Sequence, residues 1–297
     1  MRGCISYSLF GYGKDTYNDC FDFFSFLRCM HICIRFNRIL FPGWDIIINT
    51  DSATYNSPYK KIFDWHINKG FIKIKLFENN QPLCRAMLQR LKPIFEYDHP
   101  NFRYSHVLCR DLDSISTFRE AQMVKQWIDE DKTMLCITDS ISHNIPILGG
   151  MCGFSPGYFN GRMQLTLDPE YKWDELMSRV DDIDYSRKGS DQDFLNRIIY
   201  PICAESSTEF FIKGMPHNLA EGNGRHYVLD ESIDIGIDDK FKQTNLLAGH
   251  IGASGFYEFP TMKFLYYEDP YKDDYTELEN MEEFRSIFYW VVREDLR

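Results

Sequence analysis

Three short blocks hold the residues best able to do chemistry. Arg110-Asp111-Leu112-Asp113-Ser114 places two carboxylates one residue apart, directly after the apolar run Val107-Leu108-Cys109. Carboxylate oxygens are hard ligands suited to Mg²⁺ or Mn²⁺. Spaced as D-x-D, both can reach one ion, directly or through water. Such an ion can bridge a diphosphate and neutralise the charge on a leaving nucleotide. A charged surface turn is the plainer reading of the same residues. The second block is Ser190-Asp191-Gln192-Asp193-Phe194-Leu195-Asn196. Acids in a first helical turn suit the helix dipole. On a helix Gln192 and Asn196 share one face and Asp191 and Leu195 another, so a polar pair can face a site while Leu195 and Ile198 anchor it. The third block, residues 245–255, sets His250 among glycines and small residues. Glycine lets backbone approach a ligand closely, and imidazole is a reasonable further ligand for Mn²⁺. A lone histidine is more often a satisfied structural group.

These blocks need elements to carry them. Residues 4–10 read as a strand that opens into the loop Gly11-Tyr12-Gly13. Residues 17–40 read as a helix stopped by Phe41-Pro42-Gly43-Trp44. Strands are expected at 45–49, 71–77, 106–109 and 133–138, and helices at 57–68, 83–95 and 118–131. Gly149-Gly150 turns into a further strand, and Ser190 caps a helix over 190–199. Short strands and loops follow over 205–259, with a last amphipathic helix over 274–292. Alternating strands and helices imply an α/β sandwich around a mostly parallel sheet. In such sheets ligands bind beyond the carboxyl ends of strands. Asp111 and Asp113 lie at one.

The composition sets bounds. Among 297 residues, 33 Lys+Arg against 44 Asp+Glu give a net charge of −11. A nucleic-acid binder would show a basic stripe instead. Nine cysteines, an odd number without a C-x-x-C pair, argue against a disulfide framework or a zinc ribbon and for a reducing compartment. The N-terminus has no long apolar core of a signal peptide. The most apolar stretch, residues 20–36, is broken by Asp22, Arg28, His31 and Arg35 and is too short to span a membrane. A cytoplasmic protein, in the host cytoplasm if viral, is the expectation.

Taken together, the three blocks resemble the GT-A class of nucleotide-sugar glycosyltransferases. Asp111 and Asp113 match its D-x-D element. DQDFLN is similar to the D-Q-D-x-L-N element of glycosyltransferase family eight, and His250 in G-H-I-G to that group's metal-ligating histidine. No K-P-W triplet follows His250, so the chain resembles a neighbouring GT-A family more than family eight proper. Arg110 to Ser114, Trp127 and the loop Pro146 to Gly153 are also similar to a set of uncharacterised viral and bacterial GT-A-like proteins.

The resemblance implies one GT-A (Rossmann-like) catalytic domain over 1–297. Residues 1–114 would bind the donor, 115–260 would face the acceptor, and 261–297 would form a helical extension. It implies a metal-dependent enzyme moving a hexose or deoxyhexose from a nucleoside-diphosphate-sugar to an acceptor hydroxyl on a glycan, protein or lipid-linked glycoconjugate. Asp111, Asp113 and His250 would hold Mn²⁺ or Mg²⁺. Ser6, Tyr7, Tyr12, Arg85, Arg90 and Arg110 are candidates for the donor. Arg85 and Arg90 are five residues apart, so at most one is expected at the site. For an inverting reaction Asp191 is the first candidate base and Asp139 the second; His143 lies in the same loop as Asp139. For a retaining one, Gln192 would stabilise the oxocarbenium-like centre. Two alternatives stand beside this. A haloacid-dehalogenase-type phosphatase would use Asp111 as a nucleophile, though that motif normally opens its domain. A catalytically inactive glycan-binding relic would bind without turnover.

Overall fold

The computed structural model describes residues 2–13, 23–98, 101–138, 145–164, 172–178, 183–212, 224–229 and 268–288. Its centre is an eight-stranded sheet. In chain order the strands are β1 (Gly3–Ser8), β2 (Asp45–Asp51) and β3 (Lys73–Phe77). After a two-stranded ribbon of β4 (Tyr97–Asp98) and β5 (Asn101–Phe102) come β6 (His106–Arg110), β7 (Met134–Thr138), β8 (Met151–Phe154), β9 (Ser207–Ile212) and β10 (Arg225–Leu229). Across the sheet the order is β10-β9-β7-β8-β6-β1-β2-β3. Only β8 runs antiparallel, against β6 on one side and β7 on the other. The expected α/β class with a mostly parallel sheet flanked by helices is the one found.

The strands are apolar on both faces, as a sheet covered on both sides must be. Successive side chains alternate between two cores. Ile5, Tyr7, Ile46, Ile48, Leu108, Leu135 and Ile137 enter one core, with helix Phe23–Leu40, helix Phe118–Asp129 and the C-terminal segment. Cys4, Ile47, Val107, Cys109, Met134 and Cys136 enter the other, with residues 88–95 and the helices after β8. Gly3 is needed for close approach: a Cβ there would stand 2.6 Å from Trp44 Cε3.

Three elements depart from expectation. The helix expected over 83–95 is α-helical only over Leu83–Leu88 and continues as a 3₁₀ stretch, Gln89–Phe95. Pro93 lies in that stretch and has no N–H to donate to a carbonyl one turn back. Ser190 is not the cap of its helix. Gly189, at φ 89°, takes that place, and the Ser190 hydroxyl donates to the Arg187 carbonyl at 2.6 Å. The C-terminal helix is broken into Thr276–Glu279 and Glu282–Ile287. No helix among the described residues is long and apolar enough to cross a membrane.

Candidate functional site

β1 and β6 are parallel neighbours, and the chain leaves β1 for β2 on the opposite side. The order therefore reverses at the β1–β6 seam, where a parallel sheet opens a crevice beyond its carboxyl ends. Asp111 is the first residue after β6. Beneath it the thiol of Cys33 meets the Ser114 carbonyl at 3.4 Å, and Arg110 Nη2 donates to Ser114 Oγ at 3.0 Å, so the turn is fixed from below.

Strand alternation sends Arg110 and Asp111 to opposite faces. Arg110 is 1% exposed and points away from the crevice. It donates to the Gly150 carbonyl at 2.9 Å, and its Nε lies 3.2 Å from Glu120 Oε1 in helix Phe118–Asp129. Its contacts are those of a brace that fixes the acidic turn to the glycine loop. Asp111 emerges on the face of Arg90. Arg90 Nη1 pairs with Asp111 Oδ1, while Nη2 lies 3.4 Å from Asp191 Oδ2. Of Arg85 and Arg90, Arg90 reaches the acids. Arg85 is half-buried one helical turn earlier and does not line the cleft.

The cleft holds about 160 Å³ and is lined by Asp111, Asp113, Ser114, Leu148, Gly150, Met151 and Gln192. Its floor is the loop from Pro146 to Gly150, held by the DQDFLN block. Asn196 receives the Ile147 N–H at 3.2 Å and donates to the Ile147 carbonyl at 2.9 Å. Gln192 Oε1 accepts from the Gly149 N–H at 3.2 Å. The expected polar pair at i and i+4 thus clamps one loop. Gln192, its Oε1 engaged by this loop, is also a lining residue of the cleft. Both glycines are there for space. A Cβ on Gly149 would lie 3.2 Å from Arg90 Cζ, and one on Gly150 would lie 2.9 Å from Asp111 Cβ and closer to its carboxylate. Gly153 in turn packs on Trp127, whose ring a Cβ would meet at 3.0 Å. The motif pieces Arg110, Trp127 and Pro146 to Gly153 therefore meet in space.

Asp191 is 2% exposed and sits behind Gln192, off the cleft wall. Burial raises its carboxyl above the usual range, opposed by the Arg90 charge. Burial and then the Asp111 charge push the Asp113 carboxyl up to about 6, against the pull of Arg90 and Arg110. Asp111 and Asp191 thus share one guanidinium, and the Asp113 carboxyl lies close enough to Asp111 to feel its charge. Like charges this close favour a cation among them. Asp111 and Asp113, two hard oxygen donors on one small cleft, fit Mn²⁺ or Mg²⁺. Among the described residues no group of three His, Cys, Asp or Glu is gathered that could hold a metal by itself.

The remaining candidates lie elsewhere. Ser6 is inside the sheet, its hydroxyl accepting from Asn49 Nδ2 at 2.9 Å. Tyr7 is buried, its hydroxyl accepting from Asn37 Nδ2 at 2.6 Å. Tyr12 stands at the exit of β1 in an aromatic cluster, 5.2 Å from Phe23 and 6.4 Å from Tyr59 between ring centroids. Beside it Asp51 ties two strand ends together: Oδ2 accepts from the Gly11 N–H at 3.2 Å and Oδ1 from the Thr54 N–H at 2.7 Å. Asp139, His143 and His250 lie outside the described residues. Gly150 lines the cleft and Gly149 adjoins it; the pair of adjacent glycines is the signal the sequence carries for them.

No family model matches the chain, and no curated protein matches it. Solved structures it resembles are glycosyltransferases. The apo form of glycosyltransferase GlyE from Streptococcus pneumoniae aligns at TM-score 0.43 and 10% identity, over 69% of this chain and 44% of that one. Residues 1–349 of S. aureus TarS in complex with UDP align at TM-score 0.39 and 13% identity, over 65% and 54%. The chain thus spans about half the length of these structures. Likenesses at this level carry no residue roles across.

Proposed function

We propose that the chain transfers a sugar from a nucleoside-diphosphate-sugar to an acceptor hydroxyl. The observation that carries this reading is the cleft beyond the end of β6, beside the start of β8, lined by Asp111, Asp113 and Gln192. An acidic pair at a strand end suits a divalent cation and a diphosphate; an amide side chain suits a sugar hydroxyl. Asp111 and Asp113 would hold Mn²⁺ or Mg²⁺. That ion would supply electrostatic stabilisation of the departing diphosphate.

The chain's own residues do the rest. Arg110 and Gly150 fix the turn that aims the two carboxylates. Gln192 and Asn196 set the height of the cleft floor. Asp191, held off the cleft wall, fixes Arg90 and so orients Asp111. Asp139 is the candidate base for the acceptor proton in an inverting reaction. Tyr12, at the exit of β1, is the candidate to stack on the nucleoside base. His250 is the candidate third protein ligand.

The phosphatase reading asks Asp111 to be a nucleophile, whereas its Oδ1 is already paired with Arg90. The decisive experiment screens nucleoside-diphosphate-sugars for a rise in melting temperature with Mn²⁺, then measures donor hydrolysis and transfer. Asp111→Asn and Asp113→Asn should each lose turnover by about a hundredfold or more. Full activity in both variants refutes the reading. The anomeric configuration of the product, read by proton NMR, assigns retention or inversion.

A further inference from the structure

Arg90 stands behind the cleft rather than in its lining. It is 2% exposed, and its two terminal nitrogens face different elements: Asp111 at the end of β6 and Asp191 in helix Ser190–Phe194. Its backbone carbonyl accepts from Cys109 Sγ at 3.5 Å, which fixes its own stretch under β6. The loop opposite carries glycine at 149, where a side chain would strike the guanidinium. On this face of the turn the site is built around a buried cation. A guanidinium so placed is tolerable only because both carboxylates meet it. Its consequence for Asp111 is specific. Oδ1 faces Arg90, so Oδ2 and the Asp113 carboxylate are the oxygens left to the cleft.

We infer that Arg90 is a positioning residue that competes with the divalent cation for Asp111 and so weakens binding of the bare ion. A cation then binds well only when a diphosphate adds its own oxygens, which couples ion loading to donor loading. The inference rests on the sugar-transfer reading for its purpose but not for its measurement.

The test is Mn²⁺ binding alone, by titration calorimetry, to the full chain and to Arg90→Met and Arg90→Lys. Removing a fixed positive charge beside a cation site should tighten Mn²⁺ binding by about tenfold or more. Arg90→Lys, which keeps the charge, should stay within about threefold of wild type. Turnover should fall in Arg90→Met even as Mn²⁺ binds more tightly, an opposition that simple loss of structure would not produce. A folded Arg90→Met variant with unchanged or weaker Mn²⁺ affinity overturns the inference. Should Arg90→Met fail to fold, Asp191→Asn is compared with Asp191→Asn/Arg90→Met, in which both buried partners are neutral. Tighter Mn²⁺ binding by the double variant supports the inference, and equal affinity overturns it. Absence of transfer by the wild-type chain from every donor would sink the sugar-transfer reading and leave the Mn²⁺ comparison standing.

Discussion

Gly150→Ala adds one methyl group at the point where the glycine loop meets the acidic turn. Gly150 is not among the residues with positive φ, so alanine fits its backbone. Space is the difficulty. The new Cβ would lie 2.9 Å from Asp111 Cβ and nearer still to the carboxylate, whereas carbons rest about 3.5–4.0 Å apart. What gives way decides the outcome. The Asp111 side chain is 39% exposed, so it can swing toward solvent. Overpacking typically costs about 1–3 kcal/mol, and a side chain free to move places this variant at the low end. Swinging breaks the contact with Arg90 and carries Oδ2 off its place. A misplacement of about 1 Å can lower turnover by about a hundredfold. The expected result is therefore a split: a small fall in melting temperature with a large fall in turnover, close to that of Asp111→Asn. Thermal unfolding and a donor-turnover assay on the same preparations read it. Turnover within about threefold of wild type, in a folded variant, would refute the reasoning, because Asp111 would then not need its position.

Two further predictions concern what holds the site up. Arg110→Met should lower stability by about 3–5 kcal/mol, because it removes a guanidinium buried beside the carboxylate of Glu120; a denaturant titration shows it, and adding Glu120→Gln should recover part of the loss. On the far side of the sheet His31 and His66 are buried, their nearest ring nitrogens 3.5 Å apart. Burial pulls His66 down to about 3, with the Arg38 charge adding to it, and burial, Arg35 and His66 pull His31 down as well. In the unfolded chain each histidine binds a proton below about pH 6.5, while the folded chain resists it. Stability should therefore fall as pH drops below 6.5, by about 1.4 kcal/mol per pH unit for each histidine, down to the folded pKa. Urea midpoints between pH 7 and 5 would show this slope, and His66→Gln should flatten it. A slope unchanged in that variant would assign the acid sensitivity to other groups.

Fold class and the position of the acidic turn are legible in the sequence. Apolar runs of strand length alternating with helical spacing require a covered, mostly parallel sheet, and a D-x-D after such a run must emerge at a strand end. Also legible is that Gln192 and Asn196 act together, since i and i+4 fall on one helical face. Which partners these residues meet was decided by tertiary structure alone. Arg85 and Arg90 are equivalent as letters; the break into 3₁₀ geometry at Gln89, with Pro93 in that stretch, and the seam beneath β6 select Arg90. Arg110 adjoins Asp111 in sequence yet faces the opposite core, because neighbouring residues of a strand point to opposite faces. Asp191 reads as an acid of a first helical turn and the first candidate base, and nothing in that reading shows that it is buried against Arg90. Periodicity sets which face a side chain takes, but the crossing of β6, β8 and helix Ser190–Phe194 brings charges from residues 90, 111 and 191 together, and no local pattern records that crossing.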